Sequence, residues 1–503
     1  MNSAARGRER HLEPSDTAPA SPETGGKTPP KRPPDLTTGP VAKSLLIFTL
    51  PMLGANLLQS LNGTANAAWV SHLLGPTALT ATANANTILF LLLGAAFGLA
   101  MAANLLIAQA VGAGATAEIK RVAGASTLFF ALLSFAVGLA GLVLTPAILS
   151  AMGTPPDARG DAAIYLRVIF AALPFMYFFS FVMMAMRGTG DSRTPFYFSL
   201  AAVGLDIVLN PVLILGLGPL PAMGIAGSAA ATLLSQTAAL AGMVVFLYRT
   251  GSPLVLRAGE WGLLRPDPAI LRTLVVKGLP MAMHMLVVSG AAVVMLTFVN
   301  GYGSQTAAAY AAAMQVWNYV QMPAMALGAA VSSMAAQNVG AGRMDRVETV
   351  ARTGVVFAVI LTAVPIALIY LIEPVILGFF LPEGSASMPI ARHINAIVLW
   401  GFVPFGVAFI FAGVVRATGA VIAPLLAMVI SLWVVRIPFV PLLTPALGAD
   451  AIWWSFPLGS FTTMILAGAY YVWGGWRRAK LMSPPRAATG QASPDMAPAK
   501  PHD

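Results

Sequence analysis

The sequence predicts an all-α polytopic membrane protein with about 12 transmembrane helices, arranged as two pseudo-two-fold six-helix bundles. Three observations predict this fold class: the apolar composition, the length of the apolar runs and an internal repeat. Of the 503 residues, 57% are hydrophobic and only 10% are charged, whereas soluble domains carry about 25% charged residues. A soluble fold has too little interior to bury this much apolar sequence.

Apolar runs that are long enough to cross a bilayer recur along the chain. A helix needs roughly 20 apolar residues to cross about 30 Å of hydrocarbon, and membrane β-barrels instead show alternation over about ten residues. These runs are continuous and longer, so they predict helices. The spans are expected near residues 44–70, 81–112, 123–147, 162–186, 194–217, 223–248, 279–300, 306–338, 353–378, 392–415, 422–445 and 451–475.

Composition divides the chain into two bundles and two tails. Residues 1–43 and 481–503 are polar and rich in Pro and Ser, which predicts disordered cytoplasmic tails. The N-terminal six-helix bundle is expected over 44–250 and the C-terminal bundle over 278–480. The basic stretch 251–277 is expected to form a cytoplasmic linker between them.

The two predicted bundles share sequence landmarks at one spacing. Pro51 and Pro280 are 229 residues apart, as are Arg187 and Arg416. The matched segments are Leu50–Met52 with Leu279–Met281, Ala108–Gly114 with Ala336–Gly342, and Arg187–Gly190 with Arg416–Gly419. An even number of spans in each half makes the repeats parallel, which places a substrate site between them. The glycines of the second pair are expected to end helices, and Arg187–Gly190 is expected to form a tight turn between helices.

The distribution of charge predicts the orientation of the chain. The net charge is +10, and most Lys and Arg lie in loops that follow even-numbered spans, as is typical of cytoplasmic loops. We therefore expect both termini in the cytoplasm and the protein in the plasma membrane, as in a bacterial inner membrane. The positions of these Lys and Arg residues in loops explain the net positive charge, so we expect no nucleic-acid partner. The chain contains no cysteine, which excludes disulfides and thiol-based metal sites.

These landmarks resemble those of the multidrug and toxic compound extrusion (MATE) family over nearly all of residues 44–478. Further matching segments are Leu213–Gly216, Gly224–Thr232 and Arg436–Pro438. The order and spacing of the motifs across both halves carry the resemblance, since each motif alone is common. The resemblance implies a V-shaped pair of bundles around a central cavity, and antiport of drugs against protons or sodium ions.

One acidic residue lies deep in a predicted span. Asp206 is near the middle of the fifth span, and ionisable residues at membrane depth usually mark ion pathways. Asn210 shares its helix face, and Pro211 frees the carbonyl one turn back. A carboxylate, an amide and a free carbonyl can bind a proton or a sodium ion. The alternative is a helix-packing hydrogen bond or a permanently protonated acid.

The resemblance also implies where coupling residues should lie. One branch of the family has Asn and then, four residues later, Asp before Pro in the fifth span, together with an acid in the first span. Here the fifth-span order is exchanged, and Asn66 stands at the first-span position. The other large branch has acids in the seventh and tenth spans, where this sequence has no carboxylate. The candidate ion-coupling residues are therefore Asp206, Asn210 and Asn66, with a single acid.

Amides and aromatic residues supply candidates for a substrate cavity. Amides of the first span fall within roughly a third of the helix circumference, and Asn86 and Gln315 are repeat equivalents. Amides alternatively bind neighbouring helices, and aromatic residues pack in cores. The substrate-cavity candidates are Gln59, Asn62, Asn86, Gln315, Trp317, Tyr319 and Met322, of which the last three suit flat apolar or cationic compounds.

Two further polar residues lie within predicted spans. Arg436 in the eleventh span stays charged, so it is expected to bond carbonyls or to face a wet cavity, in a gating or a structural role. His284 in the seventh span titrates near neutral pH when unperturbed, although a lone histidine is more often a packing donor.

The sequence as a whole predicts a secondary active transporter rather than an enzyme. We expect it to act as a monomer in the lipid bilayer and to export organic, often cationic or amphiphilic, small molecules by proton- or sodium-coupled antiport. It has no Walker loop, so no ATP-binding component is expected, and no cofactor besides the coupling ion. The alternative is a lipid-linked oligosaccharide or polysaccharide flippase of the same superfamily, which would need a more basic cavity. A membrane enzyme would need clustered His, Asp or Glu, and a channel fits the two-fold repeat less well.

Overall fold

The computed structural model of the chain describes residues 35–218, 221–382 and 384–481, apart from the side chain of Asn84. Twelve long helices account for most of these residues, and no β-strand occurs among them. The helices are α1 (Val41–Leu74), α2 (Pro76–Gly112), α3 (Thr116–Ala151), α4 (Pro156–Gly188), α5 (Arg193–Leu215), α6 (Ile225–Thr250), α7 (Pro268–Asn300), α8 (Ser304–Gly340), α9 (Met344–Gly378), α10 (Ser387–Ala417), α11 (Ile422–Leu447) and α12 (Asp450–Trp473).

These helices confirm the predicted all-α fold. Ten of them are long and apolar enough to cross a membrane. The other two are α8, which carries several amide side chains, and α12, which is rich in Trp, Tyr, Ser and Thr. Their polar side chains lower the mean hydropathy without shortening the helix. Both remain long enough to span, because 24 residues at 1.5 Å each exceed the hydrocarbon thickness.

The repeat landmarks end helices at equivalent places in the two halves. α2 and α8 end at Gly112 and Gly340. The turns that follow α4 and α10 each contain a glycine with positive φ, at 93° for Gly190 and 95° for Gly419. A residue with a side chain is strained at such angles. The predicted helix ends at Gly112 and Gly340 and the predicted tight turn at Arg187–Gly190 are confirmed.

Each half of the described chain has an apolar core, and the halves share a third. The first-half core includes Phe170, and the second-half core includes Trp317 and Trp453. The shared core lies where α2 meets α8, around small residues such as Ala103 and Ala330. Small side chains let helix backbones approach closely inside a membrane.

The segment before α1 corrects the predicted extent of the N-terminal tail. Residues 1–34 and 482–503 lie outside the described residues, so the predicted disorder is not described there. Residues 35–43, which the sequence assigned to the tail, form a turn and then the start of α1. Leu36 is buried with 1% of its surface exposed. Its carbonyl accepts a hydrogen bond from Asn338 of α8, so this segment is fixed by the other half.

Ion pairs fix the segment between α6 and α7 onto α3. Lys120 pairs with Glu260 of a short 3-10 helix (Ala258–Leu263), and Arg121 pairs with Asp267 at 2.6 Å. Asp267 also caps α7 through hydrogen bonds from the amides of the next two non-proline residues. Residues 251–277 are therefore partly structured, and α7 begins inside the predicted linker. The ends of α2, α4, α8 and α10 lie on the same side as this segment, which we call the basic end.

We expect Asp267→Ala to lower the apparent melting temperature of the purified protein, by an amount that corresponds to about 1 kcal/mol for a lost N-cap. Burial opposes the charge of Asp267, but its hydrogen bonds with Arg121 and the helix amides hold its pKa below the ordinary value. A lowered pKa stabilises the fold above the ordinary aspartate pKa, and this stabilisation is lost as the pH falls through the lowered pKa. The difference from wild type should therefore be present at neutral pH and shrink below about pH 4.

The matched control is Asp157→Ala, because Asp157 is exposed in the first turn of α4. The melting temperatures of both variants and wild type are measured by circular dichroism at neutral pH and below about pH 4. Equal melting temperatures for Asp267→Ala and Asp157→Ala at neutral pH would contradict the assigned cap.

Candidate functional site

Asp206 lies in the interior of the first half, where only neutral groups contact its carboxylate. It is 1% exposed. Asn66 of α1 donates from Nδ2 to one carboxylate oxygen at 3.0 Å. Thr232 of α6 donates to the other oxygen at 3.3 Å, and so does Asn210 of α5, also at 3.3 Å. No ion pair to Asp206 occurs within the described residues.

The two amides are also bonded to each other. Asn210 donates from Nδ2 to the Oδ1 of Asn66 at 2.8 Å and reaches the Asp206 carbonyl at 3.2 Å. The predicted set of Asp206, Asn210 and Asn66 is therefore brought together by α1 and α5. We call these three residues with Thr232 the Asp206 site.

Several oxygen atoms in or beside the Asp206 site have no hydrogen-bond donor. Among the described residues, Oδ1 of Asn210 and Oδ1 of Asn62 are buried without a partner, and Asn62 lies beside the Asp206 carboxyl group. Pro211 is inside α5 and has no amide hydrogen, so the carbonyl of Ile207 receives no helical bond from it. Carboxylate, amide and carbonyl oxygens are the ligands that hard cations prefer.

Tyr165 extends this polar region toward α2. Its hydroxyl donates to Oδ1 of Asn86 at 3.4 Å. Sequence reasoning missed Tyr165 and Thr232 as members of the polar region. Thr232 stands in a run of small residues that was noted only as a family motif, and its distance in sequence from Asp206 hid the contact.

The other substrate-cavity candidates are not brought together on one surface. Trp317 is buried in the second-half core and donates from its indole to Asn395 at 3.0 Å. Tyr319 is 45% exposed and lines an apolar groove between α8 and α9. Gln59 and Gln315 are exposed, and Met322 is half-buried. Trp317 and Tyr319 point to different faces because residues two apart on a helix do not face the same way.

The second half has a different polar residue at membrane depth. Arg436 is half-buried on α11 and stacks on Phe456, with 3.4 Å between its Cζ and the ring centre. His284 of α7 is half-buried and contacts Phe409 edge-on, with ring centres 6.1 Å apart. The two residues lie on different helices, with different aromatic neighbours.

The two halves interlock at the basic end through a pair of equivalent glutamines. Gln109 at the end of α2 donates to the carbonyl of Ala417 at 2.7 Å. Gln337 at the end of α8 donates to the carbonyl of Gly188 at 2.8 Å. Each bond joins one half to the last residue of α4 or α10 in the other half. We call these two bonds the glutamine lock.

Glycines make the glutamine lock possible. A Cβ atom placed on Gly112 would overlap the carbonyl of Gln337, and one placed on Gly340 would overlap the carbonyl of Gln109. The two helix ends therefore touch backbone to backbone. The sequence predicted the helix ends from these glycines but not the close approach between the halves.

Comparisons with known proteins agree with this architecture. The sequence model of the MatE family matches residues 51–212 and again residues 280–442, which confirms the internal repeat. The chain is 36% identical over 437 residues to the probable multidrug resistance protein YoeA of Bacillus subtilis, covering 86% of this chain and 94% of the relative. It is 32% identical over 455 residues to the probable multidrug resistance protein YpnP of the same organism, covering 89% and 99%.

The fold is also similar to solved structures. One is described as an outward-facing conformation of a multidrug resistance MATE family transporter of the MOP superfamily. It aligns with a TM-score of 0.79 over 87% of this chain and 96% of that chain, at 22% identity. At this identity the likeness concerns the fold, and the chemistry must be argued from the residues themselves.

Proposed function

Since the chain belongs to the MatE family, whose members are membrane transporters, we propose that it exports small organic compounds and draws energy from a cation gradient through the Asp206 site. Relatives named multidrug resistance and multidrug export proteins support the export of drugs. The single observation that supports cation coupling is a buried carboxylate contacted by neutral donors alone.

The physical argument concerns the charge of Asp206. A bare carboxylate in a low-dielectric interior is unstable, so it binds a proton or another cation. Either event neutralises the site, and loss of the cation restores the charge. A site that must exchange its cation before the protein can return to the same state couples the gradient to the transport cycle. Proton and sodium ion compete for the same oxygens in this mechanism.

The proposed cycle alternates access to a substrate site between the two halves. The glutamine lock closes the basic end, so these bonds must open when the protein accepts substrate from that side. The distribution of Lys and Arg supports a cytoplasmic basic end in a bacterial inner membrane.

The test is efflux of a cationic dye from vesicles containing the purified protein, with proton and sodium gradients imposed separately. We expect one gradient to accelerate efflux and an ionophore for that ion to abolish the acceleration. A rate of dye efflux that neither gradient changes would contradict cation coupling. Accumulation of a labelled lipid-linked sugar in the outer leaflet, without dye efflux, would instead support the flippase alternative.

We expect Asn66→Ala to weaken coupling without abolishing it, because an amide contributes ligation but does not titrate. Loss of one hydrogen bond to a charged group corresponds to about tenfold weaker cation affinity. The measurement is the cation concentration that gives half-maximal dye efflux. Thr64→Ala on the same helix is the matched control, since Thr64 is exposed and bonds only its own helix. An unchanged half-maximal concentration in Asn66→Ala would remove Asn66 from the site.

A further inference from the structure

A cavity of about 200 Å³ lies at the basic end of the first half. Its walls come from α3, α4, α6 and residues 254–264 of the segment between α6 and α7, and we call it the linker cavity. Its lining side chains are aliphatic or aromatic, apart from Thr127 of α3. All of the described lining residues belong to the first half or to that segment. The linker cavity is therefore separate from the substrate site proposed between the halves.

The segment that closes the linker cavity is held firmly on α3. The two ion pairs described above join the segment to α3. Gly124 of α3 also meets its backbone, since a Cβ there would lie 2.6 Å from the carbonyl oxygen of Leu263. A space nevertheless remains between the segment and the ends of α4 and α6. The cavity is thus a built feature of the fold and not a consequence of a loose loop.

The rim of the linker cavity carries aromatic rings typical of a membrane surface. Tyr248 and Trp261 line the cavity and are 55% and 61% exposed. The Tyr248 hydroxyl donates to the carbonyl of Leu256 at 3.2 Å, which joins α6 to the segment. Tyr and Trp are enriched where a membrane meets water. The rim therefore lies at the depth of lipid headgroups.

The apolar wall continues from this rim into the membrane. Phe178 lines the cavity from α4, ten residues before that helix ends at Gly188. Ten helical residues span about 15 Å. Phe181 and Val182 line the cavity between these two levels, and both are buried. The cavity therefore offers apolar contact at the depth of the first part of an acyl chain.

Three arginines border the linker cavity. Arg249, Arg257 and Arg265 each directly follow a lining residue in the sequence, and all three are exposed. None of them belongs to an ion pair within the part of the chain that the structure describes. The nearby acids, Glu260 and Asp267, already pair with basic residues of α3. The rim is therefore positively charged.

We propose that the linker cavity binds one acyl chain of an anionic phospholipid whose phosphate is held by Arg249, Arg257 and Arg265. Guanidinium groups bind phosphate oxygens through charge-assisted hydrogen bonds, often in pairs. The positive rim repels cationic amphiphiles, so a drug of that class fits this site poorly. A bound lipid contacts α3, α4, α6 and the segment together, and it stabilises the folded first half because it binds that state alone. The inference does not depend on the proposed export function.

The test compares phosphatidylglycerol with phosphatidylcholine carrying the same two acyl chains, so that only the headgroup differs. Lipid retained by the purified full-length protein in non-ionic detergent is counted by native mass spectrometry. Each arginine near the headgroup contributes about fivefold. Wild type should therefore retain one phosphatidylglycerol about a hundredfold more strongly than phosphatidylcholine, and Arg257→Gln combined with Arg265→Gln should reduce this preference to about fivefold.

The matched control removes two charges at the basic end of the second half. Arg352→Gln combined with Arg478→Gln replaces two exposed arginines that do not border the cavity and belong to no ion pair among the described residues. The lipid preference of this control should equal that of wild type. A general attraction of anionic lipid to basic protein would instead lower the preference equally in both double variants.

A further variant tests the cavity itself. Thr127 is half-buried and lines the cavity, so Thr127→Phe fills the space with a ring. Retention of phosphatidylglycerol should fall at least tenfold, since the loss of two buried methylene groups suffices for such a change. Ala136→Phe is the control, because Ala136 is exposed on the same helix and does not line the cavity.

Four results would overturn the lipid site. They are equal retention of the two lipids by wild type, an equal preference in the two double variants, unchanged retention by Thr127→Phe, and displacement of phosphatidylglycerol by a cationic dye. The last result would assign the cavity to substrates. The arginines are exposed, so the charge variants should fold, and the wild-type comparison needs no variant. Dye efflux under a cation gradient tests the proposed function separately.

Discussion

Replacing Asp206 with asparagine should abolish gradient-driven export and leave the protein folded. The variant keeps the size of the side chain and one of its two oxygens, so it can still accept the bond from Asn66 or the bond from Thr232, and packing in the first half is preserved. It removes the titratable and charged group, which is the part of the Asp206 site that we propose exchanges a cation. The increase in dye efflux rate caused by the imposed gradient should be at least a hundredfold smaller in the variant than in wild type. The reason is that an amide cannot replace a carboxylate as a proton carrier.

The measurements are dye efflux from vesicles, expression level and dye binding without a gradient. Asp157→Asn is the matched control, since it makes the same change at an exposed position in the first turn of α4. Dye binding should persist in Asp206→Asn because the variant does not alter the substrate site proposed between the halves. Full gradient-driven export by a well-expressed Asp206→Asn protein would show that the coupling cation binds elsewhere. His284 on α7 would then be the first residue to replace.

Gly340→Ala should stop transport by preventing closure of the basic end. The new methyl group would overlap the Gln109 carbonyl of the other half, and backbone cannot move aside as a flexible side chain can. Gly112→Ala makes the equivalent overlap with the Gln337 carbonyl and should have the same effect. Export should fall to background in both variants, because alternating access requires that this end close. Gly160→Ala on α4 is the control, since a Cβ there meets nothing within 4 Å.

A single introduced thiol reports whether the basic end closes. The chain has no cysteine, so Ser333→Cys introduces one thiol, at a buried position where the serine donates to Asn104 of the other half at 3.1 Å. A membrane-impermeant maleimide applied to the basic end should label this thiol slowly in the otherwise wild-type protein and quickly when Gly340→Ala is added. Slow labelling and normal efflux in the double variant would show that the overlap is relieved without opening the halves.

Much of this fold could be predicted from the sequence because the bilayer imposes simple rules. Helix number, helix ends and the repeat followed from apolar length and glycine positions, and the twelve long helices agree with them. The pairing of Asp206 with Asn210 followed from their spacing on one helix. The contact with Asn66 was predicted only through the family resemblance, since nothing local to α1 points toward α5.

The failures have a common physical origin in tertiary packing. Trp317 and Tyr319 were grouped as neighbours in sequence, but one is buried in the second-half core and the other lines an outer groove. Thr232 was overlooked because a threonine in a helix usually bonds its own backbone, and its contact with Asp206 depends on how α5 and α6 pack. The π-helical segment Ile430–Arg436 of α11 was also not predicted, since apolar length and glycine positions do not indicate it.

The glutamine lock and the segment before α1 together constrain the order in which the protein can be assembled during synthesis. Asn338, Arg343 and Arg346 hold the carbonyls of residues 36–39, and all three are made about 300 residues after that segment. The Gly188 carbonyl and the Gln109 amide likewise find their partners only when Gln337 and Ala417 have been inserted. The first half must therefore be inserted into the membrane before the hydrogen bonds at its basic end can form. Residues 36–39, which are synthesised before α1 to α12, are among the last to be fixed in place.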